Sequence, residues 1–187
     1  MGTAPEHRLD NLPKVQEQNL SNGLKGNLQT IKFMKKVARA KSGDPTIRRL
    51  ALNILEQYQV PSMNYVEEAL AIGDYVKNKV RYVRDPDGIE YLQDPIDLVK
   101  HIQEGLAQGD CDDMALLAAT LLLSVGHQPF FRAVRYYEPV GNFNHIYVVV
   151  YEKNMYQKER RVVLDCILKD KPIGFEIKHN TGEEYEV

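Results

Sequence analysis

Twelve consecutive residues, Met114 to Val125, are apolar with scarcely a break, and a helix that is apolar on all sides must be enclosed by the rest of its domain. The chain is therefore limited to folds in which one central helix is wrapped by the other elements. Gly126 is suited to end such a helix, because glycine accepts the left-handed conformation that follows a last turn. The start is marked by Gly109-Asp110-Cys111-Asp112-Asp113. Aspartates in a first turn satisfy free N–H groups and suit the helix dipole, so Asp110 or Asp112 is expected to cap the helix, with Cys111 on its first turn. The same N–H groups favour a thiolate, which makes Cys111 a candidate nucleophile. Three neighbouring aspartates oppose that anion by like charge. An external base is therefore required.

Upstream of this segment the hydrophobic period is 3.6. Ile31, Met34 and Ala38 define a helix over 28–40, whose other side carries Lys32, Lys35, Lys36, Arg39 and Lys41 and reads as a solvated basic face. Asp44-Pro45 supplies an N-cap and a first helical position for a second helix running to Tyr58. Ala69, Leu70, Ile72, Tyr75, Val76 and Val80 predict a third over 67–83, closed by the turn signal Asp85-Pro86-Asp87-Gly88. Asp94-Pro95 opens a short fourth helix over 96–103. Residues 1–27 carry Pro5, Pro13, Gly23 and Gly26 without a sustained period, which predicts a flexible arm ahead of a domain spanning 28–187.

Downstream the period changes to two. Residues 130–137, 144–151 and 161–167 are rich in branched and aromatic side chains and read as three strands of one antiparallel sheet, with loops at 138–143 and 153–159. Helices first and strands later predict an α+β domain, with N-terminal helices and a central buried helix packed on the sheet.

Composition removes several classes of function. A net charge of -2 from 24 basic and 26 acidic residues is not the footprint of a nucleic-acid binder. No apolar run has membrane-spanning length, and the first thirty residues hold no secretory h-region, so a cytoplasmic protein is expected. Two cysteines, Cys111 and Cys166, do not make a disulfide framework.

The base is found by following the strands. His145 begins one strand, 34 residues after Cys111, and Asp165 lies at the distal end of the next. In antiparallel neighbours the start of one strand lies beside the end of the other, so His145 and Asp165 are expected to pair. Imidazole can take the thiol proton, and a carboxylate can fix the imidazole tautomer and stabilise its charged form. Cys111, His145 and Asp165 are thus the expected nucleophile, base and orienter. Cys166 points opposite to Asp165 along its strand and away from that site.

The same residues carry a family resemblance. Gly109-Asp110-Cys111-Asp112-Asp113 with Ala-Leu-Leu-Ala after it, Asn144-His145-Ile146-Tyr147, and Val163-Leu164-Asp165 resemble the three signature blocks of transglutaminase-like proteins in the papain-like superfamily. The nearest look is to a phage- and prophage-associated subgroup, through Leu28-Gln29-Thr30-Ile31 with Met34, Asp44-Pro45-Thr46-Ile47-Arg48 and Val80-Arg81-Tyr82-Val83-Arg84-Asp85-Pro86. The resemblance covers about residues 24–177. It implies a papain-like, transglutaminase-like core and a Cys-His-Asp triad carried by Cys111, His145 and Asp165. The superfamily mixes transglutaminases, peptidases, amidases and inactive relatives, so it does not name a substrate.

The expected reaction is acyl transfer through a thioester on a peptide or protein amide, without cofactor or metal. Its oxyanion needs hydrogen-bond donors, expected from the Cys111 backbone N–H and from Gln93, with Gln108 and Gln103 as alternatives. The chain has no tryptophan, whereas animal transglutaminases use one near this site, so hydrolysis is expected over cross-linking. Asp110, Asp112 and Asp113 lack the glycine and distal glutamate of a calcium loop, and no C-x-x-C pair supports zinc. The competing expectation is a catalytically silent module that binds phage structural proteins, in a virion or in the cytoplasm.

Overall fold

A computed structural model describes residues 23–86, 91–136, 143–153, 159–178 and 181–187. Four helices come first: α1 (Leu24–Lys41), α2 (Pro45–Gln57), α3 (Tyr65–Lys79) and α4 (Pro95–Glu104), with the short strand β1 (Arg81–Tyr82) between the last two. β2 (Gln108–Gly109) leads directly into α5 (Cys111–Ser124), followed by β3 (Phe130–Arg135), β4 (His145–Lys153), β5 (Glu159–Leu164) and β6 (Thr181–Glu186). The larger sheet is antiparallel with strand order β5-β4-β3-β6. This is the expected α+β class.

α5 is the centre of the molecule. Leu116, Leu117, Leu121 and Leu122 are all completely buried, against β4 on one side and α1, α2, α3 and α4 on the others. Each such leucine removes enough apolar surface to contribute about 1.5–3 kcal/mol. The outer helices begin where their caps dictate. Asp44 Oδ1 accepts from the Thr46 N–H at 2.7 Å and Asp94 Oδ1 from the Ile96 N–H at 2.9 Å, each with proline at the first helical position. Gly126 takes φ 99° beyond the end of α5, and Arg48 Nη1 ties that end to α2 by donating to the Ser124 carbonyl at 2.6 Å.

The sheet has two unlike faces. Phe131, Ala133, Ile146, Val148, Val150, Val162 and Leu164 belong to the main core with the helices. Val134, Tyr147, Val149 and Val163 form a separate cluster with Tyr136. Glu176 closes over that second face, accepting from the Tyr147 hydroxyl at 2.5 Å and from Arg161 Nη1 at 2.7 Å. Burial would raise the Glu176 carboxyl, but the Arg161 and Tyr147 hydrogen bonds and the Arg161 and Arg132 charges outweigh it and hold it down from 4.5 to about 2. A depressed carboxylate gives stability that is complete above its unfolded pKa and disappears as pH falls toward the folded one. Urea titrations should therefore show about 1–2 kcal/mol lost between pH 4.5 and 2, allowing for solvent screening. An equal acid loss in Glu176→Gln would refute the assignment.

Several boundaries differ from expectation. α1 begins at Leu24, after Gly23 at φ 75°, so the last four residues of the expected arm are helical; its residues 1–22 lie outside the described residues. α3 stops at Lys79 rather than Val83, because the Arg81 N–H turns to the Ala107 carbonyl at 3.0 Å and the Val83 N–H to the Gly109 carbonyl at 2.9 Å. That parallel pairing of β1 with β2 was not anticipated. Neither was β6, whose Glu183, Glu184 and Glu186 disguise an edge strand as a polar loop. The expected loop at 153–159 is shorter, since β4 reaches Lys153 and β5 begins at Glu159. Most of the other loop, and Tyr137, lie outside the described residues. No helix among the described residues is long and apolar enough to cross a membrane.

Candidate active site

The first turn of α5 is fixed by a set of carboxylate bonds. Asp110 is the cap: its Oδ1 accepts from the Asp112 N–H at 3.1 Å and the Asp113 N–H at 3.5 Å, and Asp113 Oδ2 reaches back to the Asp110 N–H at 3.4 Å. This reciprocal box holds Cys111 at the first helical position. Asp113 is held in turn by Gln93, whose backbone N–H donates to Oδ1 and whose Nε2 donates to Oδ2, both at 2.7 Å. The same Nε2 donates to the Gln108 carbonyl at 2.7 Å.

Gln93, the expected oxyanion donor, is thus engaged by the head of α5 and by β2. Both protons of its amide are engaged, one by Asp113 and one by the Gln108 carbonyl, so it locks the helix start to β2. Gln108 and Gln103, the alternatives, have exposed side chains. Gly109 is part of the same lock. A Cβ there would lie 2.7 Å from Asp113 Oδ2, 2.8 Å from Asp113 Cβ and 3.1 Å from Gln93 Nε2. Gly109→Ala should displace both side chains and cost about 1–3 kcal/mol in a thermal or urea melt. A variant as stable as the parent would show that the lock is loose.

Three carboxylates crowd this turn. Asp110, Asp112 and Asp113 bring one oxygen each within 4.8 Å of one another, a grouping that could hold a hard cation such as calcium. Burial, then hydrogen bonding and charge from Asp110, then the Asp113 and Cys111 charges raise the Asp112 carboxyl well above its usual range. Asp113 is pushed up to about 7 by burial, against the opposing Gln93 bonds.

His145 and Asp165 meet as expected. Nε2 of His145 lies 2.9 Å from Asp165 Oδ2, and the two residues are only 6 % and 4 % exposed, so this contact is shielded from water. β4 and β5 end their ladder at Val148 and Leu164; Asp165, one residue beyond, therefore reaches His145 diagonally. With Nε2 engaged by the carboxylate, Nδ1 is the ring nitrogen suited to receive a thiol proton. The imidazole is sandwiched by aromatic rings, with Tyr136 stacked at 5.5 Å and 27° and Tyr147 tilted at 5.5 Å and 37°.

Tyr136 also relates this pair to the thiol. Burial raises its hydroxyl, followed by the charges of Asp165 and Glu176, hydrogen bonding to Asp165 and the charge of Cys111. Cys111, half-buried at the head of α5, is thus electrostatically near the ring that covers His145. Tyr82 of β1 flanks the thiol as well, its hydroxyl raised by burial and then by the Cys111 and Asp110 charges. Neither tyrosine was singled out from the sequence. In Tyr136 the only signal was an aromatic at the end of a strand that leads toward His145.

The second cysteine contrasts with the first. Cys166 is buried, its Sγ 3.6 Å from the Gly73 carbonyl, and burial pushes its thiol up to about 12 with help from the Asp165 charge. It lies in the main core, in the turn just after β5 rather than on the expected strand.

Compared by sequence, no family model matches the chain and no curated protein does. Compared by fold, it is similar to a candidate protease from Parabacteroides distasonis, at TM-score 0.47 and 16% identity over 71% of this chain and 25% of that one. A candidate cysteine protease from Cytophaga hutchinsonii gives TM-score 0.44 and 15% identity, over 75% of this chain and 51% of its own. LapG from Legionella pneumophila gives 0.42 and 19%, over 76% and 75%. The chain thus spans about a quarter and about half of the first two.

Proposed function

We propose that this chain is a cysteine-dependent acyl-transfer enzyme that hydrolyses an amide or peptide bond, with Cys111, His145 and Asp165 as its triad. The observation that carries the reading is the shielded 2.9 Å contact between His145 and Asp165, taken with a half-buried thiol on a helix's first turn. The family resemblance of the three sequence blocks points the same way.

The chemistry follows from these positions. Nδ1 of His145 takes the Cys111 proton while Asp165 stabilises the imidazolium. The thiolate sulfur attacks the carbonyl carbon of the substrate, and the C=O electron pair moves to oxygen. The Cys111 N–H, at the first position of α5, supplies a donor to that oxyanion. Collapse of the tetrahedral species breaks the C–N bond, and the imidazolium gives its proton to the leaving amine. Water then loses a proton to His145, attacks the thioester, and releases the carboxylic acid with the thiol restored.

The acyl-enzyme is the species to look for. Incubation with a peptide library, followed by intact-mass and peptide mapping, should reveal an acyl adduct on Cys111 that hydroxylamine removes. Iodoacetamide should likewise modify Cys111 at least tenfold faster than Cys166, given the burial of the latter. Equal labelling of the two thiols, with no adduct from any peptide, would instead favour a silent module that keeps this fold for binding, including binding to phage structural proteins.

A further inference from the structure

The solvated basic face expected on the first helix is the least balanced part of the molecule. α1 holds Lys25, Lys32, Lys35, Lys36, Arg39 and Lys41 and no acidic residue. Of 24 basic residues in the chain six are on this helix, leaving 18 against 26 acidic ones elsewhere, a balance of -8. Lys32, Lys35, Lys36 and Arg39 repeat at i, i+3, i+4 and i+7, which stacks like charges on one stripe and destabilises the helix that carries them. Lys41 pairs with Asp94 at 2.5 Å. Among the described residues, no ion pair neutralises the four cations of the stripe.

Those four cations line a groove of about 870 Å³, with Leu28, Ile31 and Ala40 from the same helix and Tyr185 from β6. Its walls are charged and its floor is apolar. The Tyr185 hydroxyl donates to Glu183 at 2.6 Å.

We propose that the groove between α1 and β6 docks an acidic segment of a partner protein, with carboxylates matched to Lys32, Lys35, Lys36 and Arg39 and apolar side chains seated on Leu28, Ala40 and Tyr185. Charge complementarity selects the sign of the partner, and the apolar floor selects its class. A nucleic-acid backbone presents phosphates but no aliphatic groups for that floor. A lipid surface would require the apolar stripe of α1, and Ile31, Met34 and Ala38 are instead buried in the core. Electrostatic matching of this kind acts chiefly on encounter and register, so the affinity should fall steeply as salt is added.

The test uses the full chain carrying Cys111→Ala, so that turnover cannot mimic binding. The probe is a fluorescein-labelled amphipathic peptide with glutamate at i, i+3, i+4 and i+7 and leucine on the adjoining face, read by anisotropy. Binding that weakens with salt, falls about tenfold or more in Lys35→Glu/Arg39→Glu, is unchanged in Lys25→Glu and is lost when the peptide's glutamates become glutamines is the expected result. Lys35→Gln/Arg39→Gln serves the same purpose should charge reversal unfold the chain. Absence of peptide binding, binding indifferent to the groove variants, or tighter capture of a single-stranded oligonucleotide or of phosphatidylserine vesicles through the same cations would each overturn the proposal.

Discussion

Replacing His145 with alanine is expected to slow acylation of Cys111 by roughly a hundred- to ten-thousandfold, the range for losing a positioned general base. The aspartates make the effect large. Asp110, Asp112 and Asp113 all stand on or beside the first turn of α5, where each opposes the thiolate that the helix end would otherwise favour to the extent that it is ionised, Asp112 and Asp113 less so because burial raises their carboxyls. In the proposed reaction Cys111 consequently depends on imidazole to remove its proton. Asp165→Asn should cause a smaller loss, since it keeps the shape of the contact at 2.9 Å but no longer stabilises the imidazolium. Free imidazole added to His145→Ala distinguishes chemistry from structure: rescue of the acylation rate is expected if His145 is the base. A variant that acylates as fast as the parent would end the triad reading.

The second large effect lies at the opposite end of β4. His127, whose side chain is 1 % exposed, places Nδ1 2.6 Å from Glu152 Oε1 and Nε2 3.1 Å from Glu68 Oε2, while Tyr65 meets its ring edge-on. The trio ties α3, the segment after α5 and β4 together through one imidazole. His127→Leu leaves two largely buried carboxylates facing an aliphatic side chain, and removing one member of such a set costs about 3–5 kcal/mol. At this chain length that corresponds to a fall in Tm of roughly 6–20 °C. Combining it with Glu68→Gln and Glu152→Gln should recover much of the loss, because neutral groups no longer require a charged partner. A fall in Tm of a degree or two in the single variant would show that water already reaches the trio.

The two histidines illustrate what could be read from the chain. His145 was legible because strand alternation and antiparallel geometry oblige the start of one strand to lie near the end of the next, where Asp165 stands. His127 follows a helix end, a position that says nothing about Glu68 and Glu152, which are 59 and 25 residues away. The cap Asp44, the helix start at Asp94-Pro95 and Asp110 as one of two candidate caps with Asp112 were visible because capping is local chemistry. The bond from the Gln93 amide to Asp113 was not visible, because Asp113 lies 20 residues further on. β1, β2 and β6 escaped for related reasons: two strands of two residues have no period to display, and an edge strand rich in glutamate lacks the apolar alternation of a buried one.

The lock at the head of α5 separates what this fold needs from what its chemistry needs. Asp110, Asp113, Gln93 and Gly109 hold the helix start, whereas the Cys111 sulfur is only half-buried and the cap does not use it. A serine or alanine at 111 would disturb little of that architecture. The proposed catalysis is therefore a removable trait of such a scaffold: one substitution retires the reaction and leaves an intact framework for selection to turn into an adaptor.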